Sequence, residues 1–239
     1  MHALHNQKYF VVEGNIGAGK STFLKVIQNF LNAQVVMEPH EKWQNVGGHN
    51  LLDNFYADPE RWSYTFQMYA FITRTMERKN AALRNSKPFQ ILERSVYSDR
   101  YCFAQNCYEL NVMSELEWNL YKECYDWLID SYTVKPNGFI YLQTDPEVCY
   151  KRLLKRNRFE EAGVSLDYLQ RVHDKHESWL IKKEGIAQFL VEVPVLVIPC
   201  HEDFEQDIEL QKAHMVKIID FLAVHHEIPH ALSAREKFL

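Results

Sequence analysis

Residues 14–21 of this 239-residue chain read Gly14-Asn15-Ile16-Gly17-Ala18-Gly19-Lys20-Ser21 and satisfy the pattern G-x-x-x-x-G-K-[ST]. Glycine lets the backbone turn its N–H groups inward, where they join a helix N-terminus in a cradle for phosphate oxygens. Lys20 adds a mobile positive charge, and Ser21, followed by Thr22, supplies a hydroxyl for magnesium. At ordinary residue frequencies the pattern arises by chance in well under about one chain in a hundred. It therefore names a nucleoside triphosphate site, though not a reaction. No N-K-x-D guanine motif occurs and the chain is short for a motor or transport ATPase, which favours a kinase of small acceptors.

Two acidic residues stand where such a reaction needs them. Glu38 follows the apolar run 34–37 directly, and Glu93-Arg94-Ser95 follows the run 89–92. In-line phosphoryl transfer requires a metal bridging the β- and γ-phosphates and a group that accepts the acceptor hydroxyl's proton. The reading assigns Glu93 to magnesium and Glu38 to the hydroxyl; a solvated strand end and a structural Glu93–Arg94 ion pair are the plainer alternatives. Lys151, Arg152, Lys155, Arg156 and Arg158 put five cations in eight positions, leading into a glycine-containing segment, the signature of a lid at about 152–165. Arg152 and Arg156 are i,i+4 neighbours, so one helix face could close both over a triphosphate. His173 with His176, and His225, His226 with His230, have metal-compatible spacing but no accompanying cysteine or third-ligand pattern, and they are read as no metal site.

The elements that must position these residues are legible. Short apolar runs at 9–12, 34–37, 89–92, 139–142 and 195–198 read as buried parallel strands. Helices are expected from Thr22 to Leu31 and from Pro59 to about Asn85, with further starts at Ser114-x-x-Glu117 and Asp145-Pro146-Glu147 and a cap at Asp58. Alternation of this kind implies a doubly wound α/β fold of the P-loop kinase type, a five-stranded parallel sheet with helices on both faces, in a single domain. With 27 basic and 32 acidic residues, a net charge of -5, there is no overall positive field for a nucleic acid polymer. No window spans a membrane, and five cysteines without a C-x-x-C pair argue for a reducing compartment. Residues 1–8 hold no leader pattern, so the default address is the cytoplasm, or an organelle if a transit peptide has been removed.

These segments resemble the deoxyribonucleoside kinase family, and within it the deoxycytidine and deoxyguanosine kinases. The likeness runs through the phosphate loop and Thr22, Glu38-Pro39 with Trp43, Pro59-Glu60-Arg61-Trp62-Ser63 and Thr65-Phe66-Gln67, Glu93 to Tyr101, and Lys175-His176-Glu177-Ser178-Trp179-Leu180. The resemblance implies transfer of a phosphoryl group from ATP, with magnesium, to the 5′-hydroxyl of a deoxyribonucleoside, in a homodimer formed through two long helices. It implies Glu38 as general base, Glu93 in support of magnesium, Arg94 at the reacting end, and Arg152, Arg156 and Arg158 in the lid. It further implies Tyr56 and Glu161 at the sugar 3′-hydroxyl, Gln67 at the base edge, and Phe103, Phe66 and Trp43 as pocket walls. Glu202-Asp203-Phe204 matches the loop that contacts the donor base.

Base preference follows in part. The Gln67 amide can match adenine or cytosine in one orientation and guanine in the other. Arg74 lies two helical turns beyond it, and the family pattern pairs Arg74 with Asp99, a carboxylate that would accept from an exocyclic amino group and repel the O4 of thymine. Poor use of thymidine is expected, and Ala70 leaves room for a purine. Gly17 departs from the mammalian members, which carry alanine there, and the tail 229–239 extends past the resemblance. The competing readings are a nucleoside-monophosphate kinase such as thymidylate kinase, whose acceptor phosphate Glu38 would repel, and a non-catalytic nucleotide-binding protein.

Overall fold

The structure, a computed structural model, describes residues 8–84 and 87–226, with only the backbone of 225 and 226. The tail 229–239 and the side chains of His225, His226 and His230 lie outside the described residues.

Strand β1 (Lys8–Gly14) runs through the phosphate loop into α1 (Lys20–Phe30). Then come β2 (Gln34–Val36), α2 (Leu51–Ala57), α3 (Pro59–Leu83), β3 (Phe89–Glu93), α4 (Glu115–Tyr132), β4 (Gly138–Gln143), α5 (Pro146–Arg156), α6 (Leu166–His176), β5 (Val195–Pro199) and α7 (Ile208–His226). The strands form one parallel sheet in the order β2-β3-β1-β4-β5. Each expected strand is present, extended by a residue or two at an end or, for β2, one residue shorter.

Period-two alternation along β1 divides the core. Phe10 and Val12 pack on one face with Phe23, Ile27, Leu153 and Ile218, while Tyr9 and Val11 pack on the other with Phe71, Tyr121 and Trp179. Register then places the chemistry. Val12 pairs with Glu93 and Gly14 with Leu142, so the carboxyl end of β3 lies beside the start of the phosphate loop, in the crevice where such sheets bind ligands.

Local rules account for most boundaries. Asp58 accepts from Arg61 N at 3.2 Å with Pro59 opening α3, and Ser114 and Glu117 form a reciprocal capping box on α4. Asp145 departs from expectation. Its side chain makes no cap bond and instead faces His201 Nδ1 at 3.1 Å, so α5 starts on the fixed φ of Pro146 and on the Asp145 carbonyl, which accepts from Cys149 N. Helix α1 begins at Lys20, two residues before Thr22, because Gly19 at φ 95 turns the chain directly into the helix. Helix α3 ends at Leu83, and Asn85 lies outside the described residues. Asn157, at φ 51, ends α5; a single turn at Phe159–Glu161 precedes α6, which Ser165 caps.

Candidate active site

The phosphate loop is built by its own backbone. Gly17 sits at φ +79, where a Cβ would meet the Cys149 carbonyl oxygen at 2.4 Å, so the loop lies directly against the first turn of α5. Asn15 serves this scaffold and lies off the cavity wall: its Nδ2 donates to the Leu169 carbonyl at 2.8 Å, and its Oδ1 accepts from Ile16 N. Lys20 Nζ donates to the Asn15 carbonyl at 2.7 Å. Burial lowers the Lys20 pKa to about 7, and the positive charge of Arg94 pushes the same way.

Ser21 and Glu93 meet at the loop's end. Ser21 Oγ donates to Glu93 Oε1 at 2.7 Å, and Glu93 Oε2 accepts from the backbone N of Glu38 at 3.3 Å. A hydroxyl and a carboxylate converging beside a phosphate cradle form a hard-oxygen set that suits magnesium completed by phosphate oxygens and water. Among the described residues no group of three or more His, Cys, Asp or Glu is placed to hold a metal ion.

Glu38 is enclosed by basic side chains. Its Oε1 lies 2.7 Å from Arg74 Nη2 and 3.5 Å from Arg94 Nε, and its Oε2 lies 3.1 Å from His40 Nε2. Burial acts to raise its pKa, but Arg74 first, then His40 and Arg94, outweigh it and hold the carboxyl well below the usual carboxylate range. Arg94 stands at φ 59 with its guanidinium 4.7 Å from the Phe103 ring centre.

A cavity of about 470 Å³, within the range of small-molecule sites, joins these groups to an aromatic chamber. Trp43, Phe66, Gln67, Ala70, Arg74, Asp99 and Phe103 all line it. Phe66 stacks on Phe55 at 4.6 Å between ring centres, and Trp43 meets Phe66 edge-on while its Nε1 donates to Thr73 Oγ1 at 2.9 Å. Gln67 Nε2 reaches the Cys107 thiol at 3.8 Å, a weak partner that leaves the amide available to a ligand. Arg74 pairs with Asp99 through Nε at 2.9 Å and Nη2 at 3.0 Å, and it reaches Glu38 as well. Burial raises the Asp99 pKa, with Arg74 opposing.

Tyr56 and Glu161 also line the cavity. Burial, and next Glu161, push the Tyr56 hydroxyl's pKa up, so the phenol stays a proton donor. Glu161 pairs with Arg156 and lies 3.5 Å from Arg158 Nη1. The neighbouring Glu160 ties this turn to the segment before α2, accepting from Gln44 Nε2 at 2.8 Å and Asn50 Nδ2 at 3.0 Å.

Arg152 and Arg156 both line the cavity but hold different partners. Arg152 donates to the carbonyls of Ala18, Cys200 and Glu202, at 3.3, 3.0 and 2.7 Å, stapling the phosphate loop to the loop after β5, while Arg156 turns to Glu161. Helical spacing places the two arginines on one side, and the acceptors within reach of each side chain give them separate partners. Asp203 and Phe204 line the cavity, whereas Glu202 contributes its carbonyl to Arg152. Gly14, Ala18 and Glu202 lie off the wall; Ile16, Gly17, Gly19 and Thr22 lie on it. Sequence reasoning missed Leu52, Phe55, Tyr168 and His40, which line it too. Only His40 carried a signal, standing two residues after a candidate base.

Comparison with known proteins identifies the family. The family described as deoxynucleoside kinase matches residues 10–223. A probable deoxycytidine kinase of Fowlpox virus is 43% identical over 220 residues, covering 92% of this chain and 90% of the relative. The deoxycytidine kinase of Homo sapiens is 40% identical, covering 90% and 91%, and a mitochondrial deoxyguanosine kinase of Xenopus laevis is 42% identical, covering 84% of each.

Proposed function

This chain belongs to the deoxynucleoside kinase family, and from that premise we propose how its own residues divide the reaction. The enzyme phosphorylates deoxyribonucleosides with ATP, a step of nucleotide salvage. The observation that carries the assignment is the single cavity in which Lys20, Ser21 and Glu93 face Glu38 and an aromatic chamber.

ATP enters on the phosphate-loop side, its phosphates taken by the loop N–H groups and Lys20, with Asp203 and Phe204 beside the donor base. Magnesium held by Ser21 and Glu93 would neutralise charge at the β- and γ-phosphates. The deoxynucleoside lies across the chamber, its base among Trp43, Phe66 and Phe103 with Gln67 on its edge, and its 3′-hydroxyl at Tyr56 and Glu161. Glu38, held ionised by Arg74, His40 and Arg94, accepts a hydrogen bond from the 5′-hydroxyl and takes its proton as the new O–P bond forms. A weakly basic carboxylate is sufficient, because the transition state is loose and the hydroxyl needs orientation more than early deprotonation. As the bond between the β-phosphate oxygen and the γ-phosphorus breaks, Arg94 and Arg156 stabilise the transferring group, Arg156 by leaving Glu161.

The Asp99 carboxylate supports deoxycytidine, deoxyadenosine and deoxyguanosine as acceptors and opposes thymidine, while the Gln67 amide can turn to match each of the three bases. Ile72, Met76 and Leu83 on α3, and Leu116, Leu120 and Trp127 on α4, are exposed at intervals of four and seven residues, an apolar stripe on each helix that supports a homodimer. Five free cysteines suit a reducing compartment, and the cytoplasm is proposed. No helix among the described residues is long and apolar enough to cross a membrane. The direct test is ADP formation from ATP and magnesium with each of the four deoxynucleosides and with thymidine monophosphate. Turnover on the three amino-bearing nucleosides and little on thymidine is the expected result; activity only on the monophosphate would overturn the acceptor site.

A further inference from the structure

Strand β1 ends on a buried carboxylate that plays no part in the reaction as described. Glu13 has no exposed surface, follows the apolar residues Tyr9 to Val12 and immediately precedes the first glycine of the phosphate loop. An apolar side chain would fill the same place without the cost of burying a carboxyl group, so packing does not explain a carboxylate here.

Its partner does. Glu13 Oε1 accepts from Ser95 Oγ at 2.5 Å. The lone pairs of Ser95 Oγ accept from Tyr97 N at 3.2 Å and Ser98 N at 3.3 Å, so its one hydrogen is committed to Glu13 and the hydroxyl cannot turn elsewhere. One residue earlier, Arg94 N donates to the Val12 carbonyl at 3.0 Å. Consecutive residues of β1, 12 and 13, thus hold consecutive residues 94 and 95. Between these attachments Arg94 sits at φ 59, a conformation that side-chain-bearing residues avoid unless their surroundings impose it. The guanidinium itself is loosely held, with Glu38 at 3.5 Å, the Phe103 ring at 4.7 Å and a buried Nη1 that makes no hydrogen bond. Its place in the site therefore depends on its backbone.

We infer that Glu13 is a positioning residue for phosphoryl transfer: through Ser95 it fixes the left-handed turn at Arg94 that aims the guanidinium at the reacting end. The inference rests on the reading of Arg94 given under the proposed function.

The test is a double-mutant cycle on the full chain, measuring kcat and KM for ATP and deoxycytidine in Glu13→Leu, Arg94→Ala and the pair, with Glu13→Gln alongside. Glu13→Leu should lower kcat by about 10²-fold, the scale of a small misplacement of a reacting group, with KM for ATP unchanged. Glu13→Gln keeps the acceptor oxygen for Ser95 and should stay close to wild type. The pair should be no slower than Arg94→Ala alone, because the two residues act through one guanidinium. Losses that multiply, a Glu13→Leu protein with wild-type kcat, or a Glu13→Gln protein as slow as Glu13→Leu would each overturn the inference. Arg94→Ala with wild-type kcat would instead remove the underlying reading of Arg94. Should Glu13→Leu fail to fold, Ser95→Ala breaks the same bond from its other end and takes its place in the cycle.

Discussion

Arg74 Nη2 lies 2.7 Å from Glu38 Oε1, although the same guanidinium is paired with Asp99 at 2.9 and 3.0 Å. One arginine thus joins the carboxylate proposed to read the base to the carboxylate proposed to receive the proton. On that proposal, selection of the nucleoside and readiness for chemistry share a side chain.

The basicity of Glu38 is therefore set partly from the base end. Arg74 is the main charge holding the Glu38 pKa down, so Arg74→Met should raise it. The acid limb of the kcat–pH profile should move to higher pH. A limb at the wild-type position would show that His40 and Arg94 suffice.

Removing the pair that faces the base should change which bases enter. Arg74→Met with Asp99→Ala takes away the carboxylate opposed to the O4 of thymine and should admit thymidine. Steady-state kinetics with the four deoxynucleosides decide the matter, and continued rejection of thymidine would move the choice to the shape of the aromatic chamber.

Glu38→Gln keeps the size and a hydrogen-bond acceptor but loses the base. Its kcat should fall by about 10² or more, the usual contribution of a general base, with ATP binding intact in titration. Unchanged turnover would strip Glu38 of its role.

Glu13 also makes stability depend on pH. Burial first, opposed mainly by Arg94, raises its pKa to about 7 from 4.5. The folded state then binds the extra proton between those values. This contribution is fully present below pH 4.5 and is lost as pH rises through 7. Glu13→Gln should accordingly be more stable than wild type at pH 8, by up to about 3 kcal/mol, and nearly equal to it at pH 4.5. Urea unfolding at the two pH values measures the difference, and parallel losses in both proteins would contradict it.

The apolar stripes on α3 and α4 should close a dimer. Sedimentation should find twice the 28.4 kDa chain mass, and Met76→Glu with Leu120→Glu should halve it. A wild-type monomer would leave those faces without this partner.

By itself the sequence determined the frame. Five apolar runs, the glycine spacing of the phosphate loop and the caps at Asp58 and Ser114 are local signals, each read within a few residues, and the fold followed them. Glu38 and Glu93 were legible because both stand at strand ends, and parallel pairing brings strand ends together. Tertiary structure alone decided what those residues touch. The Arg74 contact to Glu38 spans 36 residues, the Arg152 contact to Glu202 spans 50 and the Gln44 contact to Glu160 spans 116. A long side chain turns toward whichever acceptor the fold brings within reach, which is why Arg152 and Arg156, neighbours by helical period, part company. Glu13 passed unnoticed for the same reason: its meaning lies in Ser95, 82 residues away across the sheet ends, and no periodicity along the chain records a hydrogen bond made in space.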